Sequence, residues 1–242
     1  MKKKAIIFDL DGVIVHTDKL HYQAWKIIAD EMDVYFDERI NDRLRGVSRM
    51  ESLEIILENY RGNVLTQEQK EALATRKNDI YRGLLRTMKP DNIPPQVRTT
   101  LSELRKAGYL LALGSSSKNA KLILEKTGLT EYFDAISDGT NITKSKPDPE
   151  VFLKAAEYLG VEPAACVVVE DALAGLVAAK AAGMIGVGIG ENVGGDDGDC
   201  HIGEFSELLG LKLKQEINDL MDMNCNYKVE PEIIREINAR KV

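Results

Sequence analysis

The chain opens its pattern with a continuous apolar run, Ala5-Ile6-Ile7-Phe8, whose β-branched and aromatic residues predict a short buried strand. Gly12 supplies a turn and residues 13–17 a connector. From about 18 to 33 the apolar positions Leu20, Ala24, Ile27, Ile28 and Met32 fall on one face of a helix, and a second, short helix is expected over Asp37–Leu44. Ser48 with Glu51 makes a capping box ahead of the stripe Met50, Leu53, Ile56, Leu57 and Tyr60. Thr66 with Gln69 makes another, ahead of a long helix to about Leu85. Residues 18–87 therefore read as an all-helical unit.

The period then changes. Pro90, Pro94 and Pro95 punctuate a linker, and after them helices alternate with apolar runs. Strands are expected at Tyr109–Leu113, Phe133–Ser137, Cys166–Val169 and Ile185–Ile189. Helices stop at Gly108, Gly128, Gly160 and Gly183. This alternation predicts a doubly wound, Rossmann-like α/β core with a parallel sheet covered on both faces. The strand at Ala5 has no local partner and must join that sheet. The helical stretch is then an insertion, an all-helical cap expected over the carboxyl ends of the strands. The expected division is a catalytic core at 1–15 and 89–215, a cap at 16–88, and a C-terminal helix or tail at 216–242, with helices considered at 208–221 and 230–242. The stretch Gly194–Asp199 reads as a flexible acidic loop.

A formal net charge of −7 argues against the basic face that nucleic acid or an anionic membrane would require. No apolar stretch approaches the roughly 18–20 residues of a membrane span. Met1-Lys2-Lys3-Lys4 before an apolar run resembles the start of a secretory signal, but Asp9 and Asp11 interrupt it and no small-residue cleavage site follows. The three cysteines, Cys166, Cys200 and Cys225, have neither disulfide-framework nor zinc spacing, which fits a reducing cytoplasm.

Polar groups stand at the ends of successive predicted strands: Asp9 and Asp11 after the first, Ser115 and Ser116 after the second, Glu170 and Asp171 after the fourth. Lys146 lies on the loop after the third. Each has a plain structural reading. Asp11-Gly12 is a common turn pair, Ser117 or Asn119 could cap a helix, and Glu170-Asp171 could complement a helix dipole. Their joint placement points instead to a phosphate and Mg²⁺ site. A carboxylate becomes a competent nucleophile toward phosphorus once cations offset charge repulsion. Asp9, Glu170 and Asp171 supply the oxygen donors that Mg²⁺ prefers. Lys146, the Ser115 hydroxyl and backbone N–H groups at a helix start would hold phosphate oxygens. A calcium-loop reading fails at Val13, and no GxxxxGK[ST] loop occurs.

Together these residues resemble the haloacid dehalogenase superfamily, whose four motifs are matched by Asp9-Leu10-Asp11-Gly12, Ser115, Lys146 and Glu170-Asp171. The resemblance runs to about residue 210 and implies Asp9 as nucleophile, Asp11 as general acid/base and Lys146 as catalytic cation. It implies metal contacts from the Asp9 carboxylate, the Asp11 backbone carbonyl and Asp171, with Glu170 in or near the shell. Within the superfamily the chain is similar to the β-phosphoglucomutases. Thr17, His21 and Trp25, one turn apart, share a helix face. Gly46-Val47-Ser48-Arg49 and Arg76-Lys77-Asn78 match sugar-phosphate-binding segments of that family, and Ser115-Ser116-Ser117-Lys118-Asn119 matches its second motif. Alone, Trp25 would be core, and His21, Arg49 and Lys77 surface groups. The resemblance implies interconversion of β-D-glucose 1-phosphate and glucose 6-phosphate, through an aspartyl-phosphate and a glucose 1,6-bisphosphate intermediate. Arg49, with Lys77, would hold the phosphate that is not reacting. The alternative is a Mg²⁺-dependent sugar-phosphate or other small-molecule phosphatase of the same fold. A sugar-phosphate binder without catalysis is disfavoured by the intact Asp9, Asp11, Lys146 and Asp171. A small-molecule sugar phosphate is the expected partner, with no nucleic acid or membrane, and a monomer is expected. His16 departs from the acidic residue usual at this hinge position, and the stretch beyond about 215 matches nothing in the family.

Overall fold

The computed structural model describes residues 4–44, 48–194 and 197–210, and the chain divides into two compact units, one from 1–15 with 90–242 and one from 16–89. The first unit is built on six parallel strands: β1 (Ala5–Phe8), β2 (Leu110–Gly114), β3 (Ala135–Ser137), β4 (Cys166–Glu170), β5 (Ile185–Ile189) and β6 (Cys200–Ile202), in the order β3-β2-β1-β4-β5-β6. This is the doubly wound, Rossmann-like α/β arrangement. The order reverses beside β1, which pairs with β2 on one side and β4 on the other.

Period-two alternation sends Ala5, Ile7, Cys166 and Val168 to one face. There they are buried with Val151, Phe152, Ala155 and Ala156 of one helix and Ala178 and Ala179 of another. Phe8 points to the opposite face, with Phe133 and Phe205 against its ring. Burying such a side chain contributes about 1.5–3 kcal/mol, and every residue of β1 is buried. Cys166 is buried and unpaired, and burial pushes its thiol up to about 12, so it is an inert core residue. The sheet extends one strand further than expected. Cys200-His201-Ile202 pairs parallel with β5 where the sequence indicated only the end of an acidic loop, because three residues at a sheet edge are too few to show a period.

The second unit holds α1 (Asp18–Glu31), α2 (Glu38–Asp42), α3 (Arg49–Leu57) and α4 (Gln67–Leu85). Both capping boxes form: the Glu51 and Gln69 amides donate to the Ser48 and Thr66 hydroxyls at 3.3 Å each, and the Glu51 and Gln69 side chains accept from the Ser48 and Thr66 amides at 2.7 and 2.8 Å. Each box satisfies amides that a helix start would otherwise leave unbonded. Trp25, Ile28, Ala29, Leu53, Ile56 and Ala74 form the unit's core with Val34 and Phe36. The core unit's helices are α5 (Pro95–Lys106), α6 (Ala120–Thr127), α7 (Glu150–Leu159), α8 (Leu173–Ala181) and α9 (Glu207–Gly210). The helices considered at 208–221 and 230–242 lie outside the described residues beyond 210. No described helix is long and apolar enough to cross a membrane.

Candidate active site

Asp9 follows β1 directly, and Glu170 ends β4. Because Phe8 pairs with Val169 and the Asp9 amide donates to the Val169 carbonyl at 3.0 Å, the two strand ends are level. This is the switch point of the sheet, where a doubly wound fold leaves a crevice at the strands' carboxyl ends. One carboxylate oxygen from each of Asp9, Glu170 and Asp171 lies within 4.8 Å of the others. Lys146 enters the same cluster, with Nζ 2.5 Å from Asp9 Oδ1, 2.6 Å from Glu170 Oε1 and 4.8 Å from the Phe152 ring centroid. The other Glu170 oxygen accepts from the Ala172 amide at 2.9 Å. Lys146 thus bridges two of the carboxylates.

Three carboxylates against one ammonium leave excess negative charge in a buried place. Burial, with Glu170 opposing the relief from Lys146, pushes Asp9 up to about 6. Burial and the neighbouring Asp9 push Asp171 up to about 6 as well. Burial would lower Lys146, but Asp9 and Glu170 outweigh it and hold the ammonium above its ordinary range.

Two glycines make this packing possible. A Cβ on Gly12, whose φ is +86°, would stand 2.0 Å from Asp171 Oδ2. A Cβ on Gly175 would stand 1.8 Å from Glu170 Oε1. Sequence reasoning marked Gly12 as a turn and did not mark Gly175. Its signal is the spacing Glu170-Asp171-x-x-x-Gly175, which returns α8 against the carboxylate.

The donor set fits a hard divalent cation such as Mg²⁺: oxygen ligands only, an uncompensated negative charge, and a turn without a Cβ beside Asp171. Asp9, Asp171 and Glu170 would hold it. Between about pH 4 and 6 the folded protein binds more protons at Asp9 and Asp171 than the unfolded chain does. The stability these groups contribute is therefore lost as pH rises through about 6. A cation replaces those protons. The Mg²⁺-induced rise in Tm is accordingly expected to be larger at about pH 7.5 than at about pH 5, and thermal scans at both values check it. An equal rise at both would contradict the site.

Asp11 is placed by the turn that follows: the Gly12 amide donates to the Val15 carbonyl at 2.7 Å, and Asp11 bridges to Val15. The Ser115–Asn119 loop is tied to the end of β3 by Ser115 N to Ser137 O at 3.0 Å and Gly139 N to Ser117 O at 3.1 Å. The hydroxyls of Ser115 and Ser117 accept from the Ser117 and Asn119 amides at 3.1 and 3.2 Å. Lys118 is exposed, and Asn119 occupies the N-cap position of α6 without a side-chain cap bond. The Ser116 hydroxyl is buried with no hydrogen-bond partner among the described residues. A phosphate oxygen is the kind of group that would satisfy it.

The helical unit brings its own candidates together. Thr17, His21 and Trp25 all meet α4: Tyr81 Oη donates to Thr17 Oγ1 at 3.1 Å, Lys77 Nζ to His21 Nδ1 at 2.8 Å, and Lys77 Nζ lies 4.9 Å from the Trp25 and Tyr81 ring centroids. An ammonium can only donate, so the neutral imidazole carries its proton on Nε2. Burial first, then Lys77 and Arg49, push His21 down to about 3. Consecutive α4 residues point in three directions at 100° steps. Arg76 reaches Glu31 at 2.6 Å, Lys77 is buried, and Asn78 accepts from Arg49 at 2.9 Å. Ser48 is exposed and its hydroxyl serves the helix cap. Gly46 and Val47 lie outside the described residues. Tyr81 was not singled out from the sequence as a site residue, although it lies one turn from Lys77 on α4.

The family model described as haloacid dehalogenase-like hydrolase matches residues 3–183. The chain belongs to the haloacid dehalogenase-like hydrolase family. Among its relatives, a β-phosphoglucomutase of Bacillus subtilis strain 168 is 44% identical over 189 residues, 78% of this chain and 84% of that protein. A phosphorylated carbohydrates phosphatase of Thermotoga maritima is 32% identical over 183 residues, 75% of this chain and 82% of that protein. The crystal structure of a β-phosphoglucomutase from Clostridium difficile superposes with a TM-score of 0.78 at 33% identity, covering 93% of this chain and all of that one. This family member thus has both mutases and phosphatases among its relatives.

Proposed function

We propose that this haloacid dehalogenase-like protein is a β-phosphoglucomutase, interconverting β-D-glucose 1-phosphate and glucose 6-phosphate. The observation that carries the reading is the polar set inside the helical unit. His21 and Lys77 are bonded to each other at 2.8 Å, with Lys77 Nζ 4.9 Å from the ring centroids of Trp25 and Tyr81 and Arg49 anchored on Asn78. Its residues follow the spacing of the mutase family, and 44% identity to a β-phosphoglucomutase supports the same reading.

In the proposed cycle an Asp9 carboxylate oxygen bonds to phosphorus as the bond from phosphorus to its previous oxygen breaks. Asp11 gives a proton to that leaving oxygen, and in the reverse direction takes one from the attacking sugar hydroxyl. The phospho-Asp9 enzyme phosphorylates the sugar phosphate to glucose 1,6-bisphosphate. The bisphosphate then returns its other phosphate to Asp9. Lys146, the Ser115 hydroxyl and the amides of the Ser115–Asn119 loop hold the transferring oxygens. Mg²⁺, held by Asp9, Asp171 and Glu170, would neutralise charge on the phosphoryl group. Arg49 and Lys77 grip the phosphate that does not react, and a remote grip of this kind orients the acceptor.

The test is a product assay with β-glucose 1-phosphate, Mg²⁺ and a trace of glucose 1,6-bisphosphate. Glucose 6-phosphate with little free phosphate is expected. Free phosphate as the main product would make the protein a phosphatase, the activity named for its Thermotoga relative. In the same assay Arg49→Ala is expected to lower kcat/KM by about 10²-fold, the scale of a misplaced substrate.

A further inference from the structure

We infer that Glu150, the first residue of α7, is a positioning residue for Lys146. The inference rests on the reading that Lys146 serves phosphoryl transfer at Asp9. Lys146 sits in the stretch 138–149, which joins β3 to α7 with no helix or strand of its own. A connection of that length has no ladder to fix its path, so its shape must come from side-chain bonds to its backbone. Yet the task set for it is narrow, because Lys146 Nζ meets Asp9 and Glu170 together, at 2.5 and 2.6 Å.

Asp138 and Asn141 tie residues 138–141, and the bonds on either side of Lys146 converge on Glu150. Its Oε2 accepts from the Thr143 amide at 2.8 Å, the Thr143 hydroxyl at 2.9 Å and the Lys144 amide at 2.8 Å. Its Oε1 pairs with Lys154 at 3.1 Å, and Lys154 also donates to the Asn141 carbonyl. On the other side of Lys146, the Glu150 amide donates to Asp148 Oδ1 at 3.0 Å. The Asp148 amide donates in turn to the Ser145 carbonyl at 3.1 Å, and Asp148 Oδ2 lies 3.3 Å from Lys144 Nζ. The loop is therefore pinned to one residue both before and after Lys146. That residue stands on a helix whose Val151 and Phe152 are fully buried against the sheet. Phe152, two residues on, carries the ring beneath the Lys146 ammonium. One helix start thus holds the backbone that presents Lys146 and the surface on which its head rests.

The amide bonds that Thr143 and Lys144 donate hold the Glu150 carboxyl down at about 2, so the clamp stays ionised throughout the neutral range. It touches no reacting atom. Its effect on chemistry passes through the position of Lys146.

The probe is fluoroberyllate, a mimic of the phosphoryl group on Asp9, bound in the presence of Mg²⁺ and followed by ¹⁹F NMR, with kcat, KM and Tm measured alongside. Glu150→Ala is expected to weaken fluoroberyllate binding and lower kcat by about 10–100-fold, the scale of a roughly 1 Å misplacement, with KM little changed. Glu150→Gln, whose amide oxygen can still accept from the loop, should recover most of the loss. In a Lys146→Ala background Glu150→Ala should change affinity by less than about 2-fold, because a residue that acts through another has nothing left to act on. Wild-type affinity in Glu150→Ala would overturn the inference, as would an equal loss in both backgrounds. If Glu150→Ala does not fold, Glu150→Asp, one methylene shorter, is expected to lose about 3–10-fold, and no loss there overturns the inference equally. A wild type that binds no fluoroberyllate would overturn the inference together with the role of Asp9. A wild type that binds it but releases free phosphate from glucose 1-phosphate would overturn only the mutase reading.

Discussion

Asp9→Asn is expected to abolish phosphoryl transfer, lowering kcat by roughly 10⁴-fold or more, while the protein stays folded. An amide oxygen cannot form the acyl phosphate, and the neighbouring Glu170 is engaged by Lys146 and the Ala172 amide. The fold should tolerate the change because burial and Glu170 already hold Asp9 up at about 6, disfavouring its charged form. Removing that charge relieves the cluster, and Lys146 keeps Glu170. Rapid-quench labelling with a radioactive phosphate donor, together with a thermal scan in Mg²⁺-free buffer, measures both halves. Undiminished label on the Asn variant would refute the role of Asp9. A collapsed Tm would refute the account of the cluster's charge.

Lys146→Ala should do the opposite to stability. It leaves Asp9, Glu170 and Asp171 together in a buried site without their ammonium. Breaking a buried ion pair from one side costs about 3–5 kcal/mol. The sign with pH follows from the same charges. Asp9 and Asp171 already sit at about 6, and removing the cation raises both further. The variant's deficit should therefore be largest at about pH 7.5 and shrink as protonation replaces the lost cation toward about pH 5. Added Mg²⁺ should recover part of it at the higher pH. Urea denaturation of both proteins at the two pH values tests this, and a deficit independent of pH would count against it.

What could be read from the sequence is what depends on neighbours in the chain. The apolar run before Asp9, the Ser48–Glu51 and Thr66–Gln69 capping boxes, and the glycines that end α6 and α7 are local patterns, and the structure contains each of them. The cluster of Asp9 with Glu170 and Asp171 was legible because all three stand at the ends of apolar strands, where the fold gathers them. What was not legible depends on close approach between distant segments. Gly175 matters only because a carboxylate from the preceding strand fills its Cβ position. Lys77 was marked by the resemblance, but its burial was not legible: alone it reads as a solvated charge, and it is 3% exposed because the apolar neighbours that bury it come from α1 and its own helix. Glu150 reads as an acidic residue at a helix start. Its bonds run back to Thr143 and Lys144, seven and six residues earlier, across a loop whose path the sequence does not specify.

The place of β1 in the sheet also bears on how the protein is made. Its partners are β2, with Ala5 opposite Leu110, and β4, with Ala5 opposite Cys166. All of its pairing is therefore distant, and the strand that carries Asp9 leaves the ribosome long before either partner. The unit at 16–89 is contiguous, and its helices can find one another while the first strand still waits. Until β4 is synthesised and paired, Asp9 remains an ordinary solvated carboxylate. The buried charge that is costly to hold arises only at the step that completes the centre of the sheet.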